Sequence, residues 1–324
     1  MNKELEIWQF AARKLKHNES VMLLVVAESS GSSPGRQGFK MIVAKDELCG
    51  SIGGGVMEIR LAETAKVKNK QAKGESESAI IEQIHQKRSE NASGMICSGK
   101  QTVVFYKLNP PDLPIIRKIL QALENHQARI LRISNLGFQI SENQPDDFDF
   151  RFEQMDENKF LYEEKLGYKN KLFIIGGGHC ALALSELMSK MDFHISLFDD
   201  RADLNTLAKN CFVHKKQIIE SYAQISDFIP SGKHHFVVVM TLGYKFDEIV
   251  IRKLINKNFK YFGVLGSKAK MKVLLKNLEK EGFPKETLNQ IHTPIGLPIN
   301  SQTPEEIAVS IAAEIILYKN ESKR

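Results

Sequence analysis

The sequence predicts an α/β protein with two domains, the second of them a doubly wound parallel sheet. In that second half, aliphatic runs typical of buried strands alternate with helical segments, from KLFIIGG and ALALSELMSKM to YFGVLG and SKAKMKVLLKNLEKEG. A chain of 324 residues, 42% hydrophobic and 26% charged, is long enough for two cores. Residues 141–170 are acidic and poor in aliphatic side chains, which indicates an interdomain connection. We therefore expect domains at 1–140 and 171–324, joined by a linker at 141–170.

The first half is predicted to be a mixed α/β domain. An amphipathic helix over residues 2–17 precedes the strands VMLLVVAES and FKMIVA, with the loop SGSSPGRQG between them. The segment LCGSIGGGVMEIRLAETAKVK predicts a short strand broken by glycines and then a helix from about Val56. A strand in SGMICSGKQTVVFYKL, a helix beginning near Asp112, and the strands ARILRIS and GFQIS complete this domain.

The second half is predicted to contain four strands, with helices between them. They are KLFIIGG, HISLFDD, HHFVVVMT and YFGVLG. The last helix, TPEEIAVSIAAEIILYK, should be well formed, because Thr303 can cap it, Pro304 suits its first position, and Glu306 completes a capping box.

Charge and cysteine content exclude several classes of protein. The net charge of +6 is small for this length and the basic residues are scattered, so nucleic acid is not expected as a partner. The N-terminal segment has charges every few residues, which predicts neither a signal peptide nor a membrane span. The four cysteines lie far apart with no CxxC pair, as expected in a reducing compartment without structural zinc or disulfides. We therefore expect a cytoplasmic protein.

The segment IIGGGHCALAL carries the pattern of a Rossmann-like nucleotide-binding loop. Gly176, Gly178 and Ala181 occupy the small positions of G-x-G-x-x-[GA], between a predicted strand and a predicted helix. Asp199 ends the next strand, 23 residues after Gly176, where a carboxylate can accept a hydrogen bond from a ribose hydroxyl. The alternative is a sharp strand-to-helix turn with no ligand. His179, inside the turn, has either a catalytic role or only a capping or solvent-facing one.

Seven blocks of the sequence, in order, resemble the XdhC/CoxI family of xanthine dehydrogenase accessory proteins. In the second half they are IIGGGHCALAL, LFDDR, YFGVLGSKAKMKVLL and HTPIGLPINSQTPEEIAVSIAAEI; in the first half they are SSPGRQGFKMIV, GSIGGGVMEIRL and ICSGKQTVVFY. The resemblance implies a protein that binds molybdenum cofactor (molybdopterin), supports its sulfuration and delivers it to a xanthine dehydrogenase-type molybdenum hydroxylase. It also implies a cysteine desulfurase as a further partner and a homodimer.

The resemblance implicates a set of residues in the second domain. They are Gly176, Gly178, His179, Asp199, Arg201, Gly266, Ser267 and Lys268. Gly266 and Ser267 end a strand and begin a helix, so their backbone N–H groups should lie at the carboxyl edge of the sheet. Two departures from the family are visible: Lys268 stands where arginine is usual, and the segment TLGYKFD lacks a histidine that members often have.

In the first domain the resemblance implicates Ser33, Pro34, Gly35, Gly53, Gly54, Gly55, Glu58 and Cys97. A glycine run before a helix is a possible anion cradle, suited to a pterin phosphate, or else a tight turn or bulge. The Cys97 thiolate could bind molybdenum or carry sulfur, or the side chain could be a small buried hydrophobe. Members often have Cys-Gly-Gly where this chain has CSG, and a cysteine in place of Val56, so Cys97 has no obvious thiol partner.

The resemblance thus favours a cofactor-binding chaperone over an oxidoreductase, and leaves open whether the protein is an enzyme. The G-x-G-x-x-[GA] pattern also permits an NAD(P)-dependent oxidoreductase, although no set of residues for hydride transfer is recognisable by its spacing in the sequence. A third possibility is a nucleotide-sensing module that binds NAD(P) or another nucleotide in its Rossmann-like domain. The sequence does not decide which domain holds the pterin.

Overall fold

The structure is a computed structural model that describes residues 3–71, 78–84, 99–127, 129–141, 148–156 and 159–321. The chain divides into two compact units, Met1–Gly167 and Tyr168–Arg324. In the described part of the chain, no helix combines the length and the apolar character needed to cross a membrane.

The first unit contains three helices and nine strands within its described residues. They are α1 (Lys3–Lys16), β1 (Val21–Gly31), β2 (Lys40–Val43), β3 (Leu48–Gly50), α2 (Gly55–Gln71), β4 (Ser78–Ile84), β5 (Gly99–Leu108), α3 (Leu113–Glu124), β6 (Arg129–Ser134), β7 (Gly137–Ser141), β8 (Phe150–Gln154) and β9 (Phe160–Leu166). A 3-10 turn at Pro110–Asp112 precedes α3. Within the described residues, the helices and strands that the sequence predicts for residues 2–140 are present, and β4 is additional. The part of the predicted strand SGMICSGKQTVVFYKL that precedes Gly99 lies outside the described residues.

The strands of this unit form two antiparallel sheets. One has the order β3-β2-β1-β5-β4 and the other has the order β7-β6-β9-β8. Strand β1 is buried on both faces: Leu23 and Val25 pack with α1 and α3, while Met22 and Leu24 pack with α2. This double burial explains why VMLLVVA is continuously apolar and does not alternate with polar residues.

The acidic segment 141–170 contributes two strands to the second sheet. Strand β9 pairs with β6 and with β8, so 150–154 and 160–166 belong to the antiparallel sheet of the first unit. Its two consecutive glutamates, Glu163 and Glu164, are 4% and 3% exposed. Residues 142–147 and 157–158 lie outside the described residues, and the division into domains at 140 and 171 stays a prediction.

The second unit alternates strands and helices. They are β10 (Asn170–Ile175), α4 (His179–Met188), β11 (Phe193–Asp199), α5 (Asn205–Lys209), β12 (Lys215–Ile218), α6 (Ile225–Phe228), β13 (Gly232–Val239), α7 (Tyr244–Leu254), β14 (Phe259–Val264), α8 (Lys268–Lys280), α9 (Lys285–Leu288), β15 (Ile291–His292) and α10 (Pro304–Asn320). The predicted capping box of α10 is confirmed: the Thr303 hydroxyl accepts from Glu306 N, and the Glu306 carboxylate accepts from Thr303 N.

The described strands of this unit lie in one parallel sheet with the order β12-β11-β10-β13-β14-β15. Numbered within the unit, the order is 3-2-1-4-5-6, which is that of dinucleotide-binding α/β sheets. Helices α4 and α10 cover one face, and α7 and α8 cover the other. The predicted doubly wound parallel sheet is confirmed. Its topological switch point lies between β10 and β13, where the loops after both strands leave the carboxyl edge.

Candidate functional site

Gly176 closes the turn after β10 at the switch point. Its φ is +104°, and a Cβ built on it would lie 2.2 Å from the Met240 carbonyl oxygen at the end of β13. Its N–H donates to the Phe198 carbonyl of β11 at 2.8 Å. Gly176 is therefore required by the close approach of three strand ends, independently of any ligand.

Gly178 has no such structural explanation. Its φ is −72°, and a Cβ built there would meet nothing within 4 Å. It is the N-cap of α4, no side chain caps this helix end, and the first turn of α4 has no acidic residue. The first backbone N–H groups of α4 therefore face an open space that can admit an anion.

Asp199 is fully buried at the end of β11 and is bound within the protein. Its Oδ2 accepts from Gly177 N at 2.6 Å and from Arg201 Nη2 at 2.8 Å, and its Oδ1 accepts from Arg201 N and Nε, both at 2.9 Å. Burial alone would raise the pKa of this carboxyl, but the hydrogen bonds from Arg201 and Gly177 lower it overall. Asp199 thus fixes the glycine loop, and its contact with a ribose hydroxyl stays a prediction.

His179 and Cys180 begin α4, next to the open space at Gly178. The His179 side chain is exposed and makes no hydrogen bond within the described residues, so it is accessible to a ligand or to solvent. The Cys180 thiol is partly buried, and burial raises its pKa. A raised pKa lowers the thiolate fraction, so this thiol is a weaker nucleophile than an ordinary cysteine at the same pH.

Gly266, Ser267 and Lys268 lie after β14, at the same edge of the sheet as the β10 loop. Ser267 is the N-cap of α8, and its hydroxyl accepts from Lys270 N. Gly266 and Ser267 border a cavity of 220 Å³ that is also lined by residues of the loop after β13. The cavity is not lined by Gly176, Gly178, Asp199 or Arg201, so the predicted residues of this unit fall into two groups.

Asp247 also lines this cavity, although no sequence pattern singled it out. It lies in the first turn of α7, where an acidic side chain is an ordinary complement to the helix dipole. In the structure it is 7% exposed. Burial raises the pKa of Asp247, although hydrogen bonds from Thr241 and the charge of Lys270 act in the opposite direction. Its position after a strand of the parallel sheet was the signal available in the sequence.

In the first unit, the structure brings together described residues from each of the three sequence blocks that resemble the family. A Cβ on Gly35 would lie 2.1 Å from the Ile52 carbonyl oxygen, and one on Gly53 would lie 2.5 Å from Gly35 N. A Cβ on Gly99 would lie 2.6 Å from Ser33 N. Gln101 of β5 connects the loops, accepting from the Ser33 hydroxyl and donating to the Ile52 carbonyl. The glycines here permit two loops and a strand end to touch.

The glycine run Gly53–Gly55 forms an anion cradle, and the carboxylate of Glu58 occupies it. Glu58 Oε2 accepts from Ser51 Oγ at 2.6 Å, from Ile52 N at 2.8 Å and from Gly54 N at 2.9 Å. Burial alone would raise the pKa of Glu58, but these hydrogen bonds lower it overall. The N–H groups of Ile52 and Gly54, at the cradle that the sequence suggested for a pterin phosphate, are therefore bound to a side chain of the following helix, α2.

Cys97, the predicted molybdenum ligand, lies outside the described residues, and its role stays a prediction. Burial raises the pKa of the partly buried Cys49 thiol in the first unit. Among the described residues, no group of three or more His, Cys, Asp or Glu side chains is arranged to hold a metal ion.

The parallel sheet, its strand order and the glycine loop at its switch point define the second unit as a Rossmann domain. Residues 172–315 match the family described as the XdhC Rossmann domain, and residues 15–83 match the XdhC and CoxI family. The chain belongs to the XdhC and CoxI family.

Similar proteins include two curated relatives. A Bacillus subtilis protein, named as a probable xanthine dehydrogenase subunit, is 30% identical over 163 residues, which cover 50% of this chain and 46% of the relative. Escherichia coli YqeB, named an uncharacterized protein, is 28% identical over 156 residues, which cover 48% of this chain and 28% of the relative. The matched region is thus less than half the length of either relative.

A solved structure shares the fold along the whole chain. It is the crystal structure of a Bacillus halodurans protein described as a xanthine dehydrogenase, which superimposes with a TM-score of 0.73 at 19% identity. The match covers 100% of this chain and 97% of that one.

Proposed function

We propose that this protein is an accessory factor that binds molybdenum cofactor, supports its sulfuration and delivers it to a xanthine dehydrogenase-type molybdenum hydroxylase. The observation that carries the proposal is that both halves of the chain match one family, whose relative in Bacillus subtilis is named for xanthine dehydrogenase. We expect it to act in the cytoplasm as a homodimer, with a cysteine desulfurase as the source of sulfur.

The residues present fit the phosphate end of such a cofactor at α4. The uncapped N-terminus of this helix, with the open space at Gly178, offers backbone donors to a phosphate. The cradle at Gly53–Gly55 fits a phosphate poorly, because Glu58 already takes its donors and would repel a second anion. We therefore assign the phosphate to the second unit. When bound, the cofactor would supply the molybdenum–sulfur chemistry, and the chain would hold and orient it.

The strand order of the second unit favours a second candidate function. A sheet of order 3-2-1-4-5-6 with G-x-G-x-x-A after its first strand is the arrangement that binds dinucleotides. An NAD(P)-dependent oxidoreductase or a nucleotide-sensing module would use the same crevice.

Reactivation of a cofactor-free molybdenum hydroxylase separates these functions. The purified protein, supplied with molybdenum cofactor, should raise the hydroxylase activity above that obtained with cofactor alone. Cys97→Ala should weaken this effect, whereas replacement of the exposed Cys211 by Ala should not. Turnover of an alcohol, hydroxy acid or purine with NAD or NADP by the protein alone would contradict the chaperone function. Full activation by Cys97→Ala would remove this cysteine from the mechanism.

A further inference from the structure

The cavity beside α7 and α8 is distinct from the glycine loop at the switch point. It lies between the loop after β13 and the loop after β14, and has a volume of 220 Å³. Its polar lining includes Thr241, Asp247, Ser267 and Lys270, and its apolar lining includes Leu265 and Met271. A cavity that combines apolar walls with a few polar groups is typical of a small-molecule site.

Asp247 presents one free carboxylate oxygen in this cavity. Its Oδ1 accepts from Thr241 Oγ1 at 2.6 Å and from Thr241 N at 3.1 Å, which together use both lone pairs of that oxygen. Its Oδ2 accepts no hydrogen bond from any described residue, although the side chain is 7% exposed. A carboxylate oxygen at the wall of a cavity that no protein donor uses can accept from a ligand with N–H groups.

Hydrogen-bond donors line the opposite loop of the cavity. The Ser267 hydroxyl accepts from Lys270 N at 3.4 Å, which leaves its own proton for another acceptor. Lys268 and Lys270 are exposed in the first turn of the 13-residue helix α8, which has no acidic residue there. A ligand must therefore offer N–H donors on the side of Asp247 and an oxygen acceptor on the side of Ser267 and Lys270.

We propose that this cavity binds a 2-amino-4-oxopyrimidine ring, the ring that guanine and pterins share. That ring presents an exocyclic amino group and a ring N–H side by side, and Asp247 Oδ2 has two lone pairs to accept from both. Its carbonyl oxygen can accept from Ser267 or Lys270. Adenine and cytosine place a bare ring nitrogen beside the amino group, and uracil places carbonyls on both sides of its N–H, so each would direct a lone pair at the carboxylate.

The inference rests on the proposed function, in that a pterin is the ring of the cofactor this protein is proposed to carry. It adds that the ring is held in the second unit and that Asp247 selects it. The phosphate site at α4 and the ring site at Asp247 lie after neighbouring strands β10 and β13 of one sheet edge.

Pterin and lumazine test the role of Asp247, because they differ only in an amino or a carbonyl group at position 2. In the full-length wild-type protein, a titration followed by ligand fluorescence should give pterin an affinity higher than that of lumazine by about tenfold or more. Equal affinities, or no binding of pterin, would overturn the proposal. This comparison needs no variant and therefore does not depend on whether a variant folds.

The Asp247→Asn variant should reverse the preference for pterin over lumazine. The N–H and O–H of Thr241 both need an acceptor, so they would hold the new amide oxygen and direct the amide NH2 into the cavity. A donor then stands where wild type has an acceptor, and lumazine should bind more tightly than pterin. The exposed Asp227→Asn is the matched control and should keep the wild-type preference. An unchanged preference in a folded Asp247→Asn would overturn the proposal.

Guanosine monophosphate and xanthosine monophosphate form a second pair of ligands with the same amino-to-carbonyl change. Comparing this pair with the first shows whether the ring that the cavity binds belongs to a pterin or to a guanine nucleotide. Preference for pterin over guanosine monophosphate supports a pterin site, and the opposite order supports a guanine nucleotide site built on the same ring chemistry. The outcome of the hydroxylase reactivation assay is independent of the ring selectivity of the cavity. Ring selectivity without reactivation would contradict the proposed function alone, and reactivation without ring selectivity would overturn only this inference.

Discussion

Arg201 holds the carboxylate of Asp199 from two sides, with Nε 2.9 Å from Oδ1 and Nη2 2.8 Å from Oδ2. Asp199 is fully buried, and the Arg201 side chain is 31% exposed. The pair therefore places a guanidinium, and not a free carboxylate, at the surface of the crevice after β11. Because the charge of Asp199 is balanced inside the protein, its effect on a nucleotide depends on Arg201.

The first prediction concerns nucleotide preference at this pair. The sequence predicts that Asp199 favours a free 2′-hydroxyl and repels a 2′-phosphate, and that Arg201 softens this preference. In wild type, NADH and NADPH should bind within a fewfold of each other. Arg201→Ala removes the balancing charge and should weaken NADPH relative to NADH by about tenfold or more, as measured by calorimetry.

Arg252→Ala provides the control, because Arg252 likewise pairs with carboxylates, those of Glu248 and Glu281, but lies on α7. If Arg201→Ala bound NADPH as tightly as NADH, the ribose role of Asp199 would be wrong. Binding of neither dinucleotide by wild type would favour a pterin in the crevice.

The second prediction is a pH dependence of stability. The folded-state pKa of Asp199 is lowered, so its contribution to stability is fully present above the unfolded pKa of about 4 and is lost as the pH falls through the folded value. Asp199→Asn should remove this contribution. The difference in unfolding free energy between wild type and variant, measured in urea, should be largest near pH 7 and should shrink as the pH falls below about 4. A difference that is independent of pH would contradict an ionised Asp199.

The sequence was sufficient to predict the strands that are buried and apolar. It was insufficient to predict a strand whose charged residues are buried in ion pairs. Strand β9, FLYEEKL, lies in a segment that its acidic residues made typical of a linker. In the structure Glu163 is paired with Arg132 of the neighbouring strand β6, and Glu164 is paired with Lys40 of β2, a strand of the other sheet of this unit. Such partners are distant in sequence, so a local pattern cannot show that these charges are neutralised.

The candidate site shows the same limitation. The G-x-G-x-x-A pattern correctly located the turn after β10, because close approach of the strand ends demands glycine at 176. The sequence did not show that Glu58 fills the cradle at Gly53–Gly55, or that Asp199 is held by Arg201, because both depend on where a side chain points after folding. Asp247 was missed for a related reason: its position after a strand is visible in the sequence, but its burial is not.

The third prediction separates the two glycines of the loop. Gly178→Val should change the free energy of unfolding by less than about 1 kcal/mol, because the added side chain enters open space at an ordinary φ. It should nevertheless abolish binding of a phosphorylated ligand to the second unit. Gly176→Ala should cost at least about 2 kcal/mol, because its Cβ would overlap the Met240 carbonyl.

Urea unfolding and calorimetry with each candidate ligand measure both effects. A Gly178→Val variant with wild-type circular dichroism and unchanged affinity would refute a phosphate site at this helix end. A Gly176→Ala variant as stable as wild type would contradict the close contact at the switch point.

The fourth prediction concerns the cradle at Gly53–Gly55. Glu58→Ala leaves the N–H groups of Ile52 and Gly54 without their carboxylate, which should cost about 1 kcal/mol. Sulfate should then occupy the vacated cradle and restore the lost stability at millimolar concentration, while wild type gains less from the same salt. Sodium chloride at equal ionic strength controls for screening. Equal stabilisation of both proteins by sulfate would mean that the loop does not form an anion site.

The last prediction concerns the buried ion pair between Lys40 of β2 and Glu164 of β9. Their charged atoms lie 2.6 Å apart, the side chains are 3% and 4% exposed, and Glu164 also accepts from the Tyr162 hydroxyl. Removing one partner leaves the other charge buried and incompletely paired, so Lys40→Met should cost about 3–5 kcal/mol. The double variant Lys40→Met/Glu164→Gln keeps an acceptor for Tyr162 and should recover part of that loss, giving a coupling of about 1–3 kcal/mol in a double-mutant cycle.

On α2, Lys66 pairs with Glu63 at 30% and 64% exposure, and Lys66→Met should change stability by less than about 0.5 kcal/mol. Additive losses at Lys40 and Glu164 would mean that the two charges do not stabilise each other, and that packing alone holds the contact between β2 and β9, which belong to different sheets.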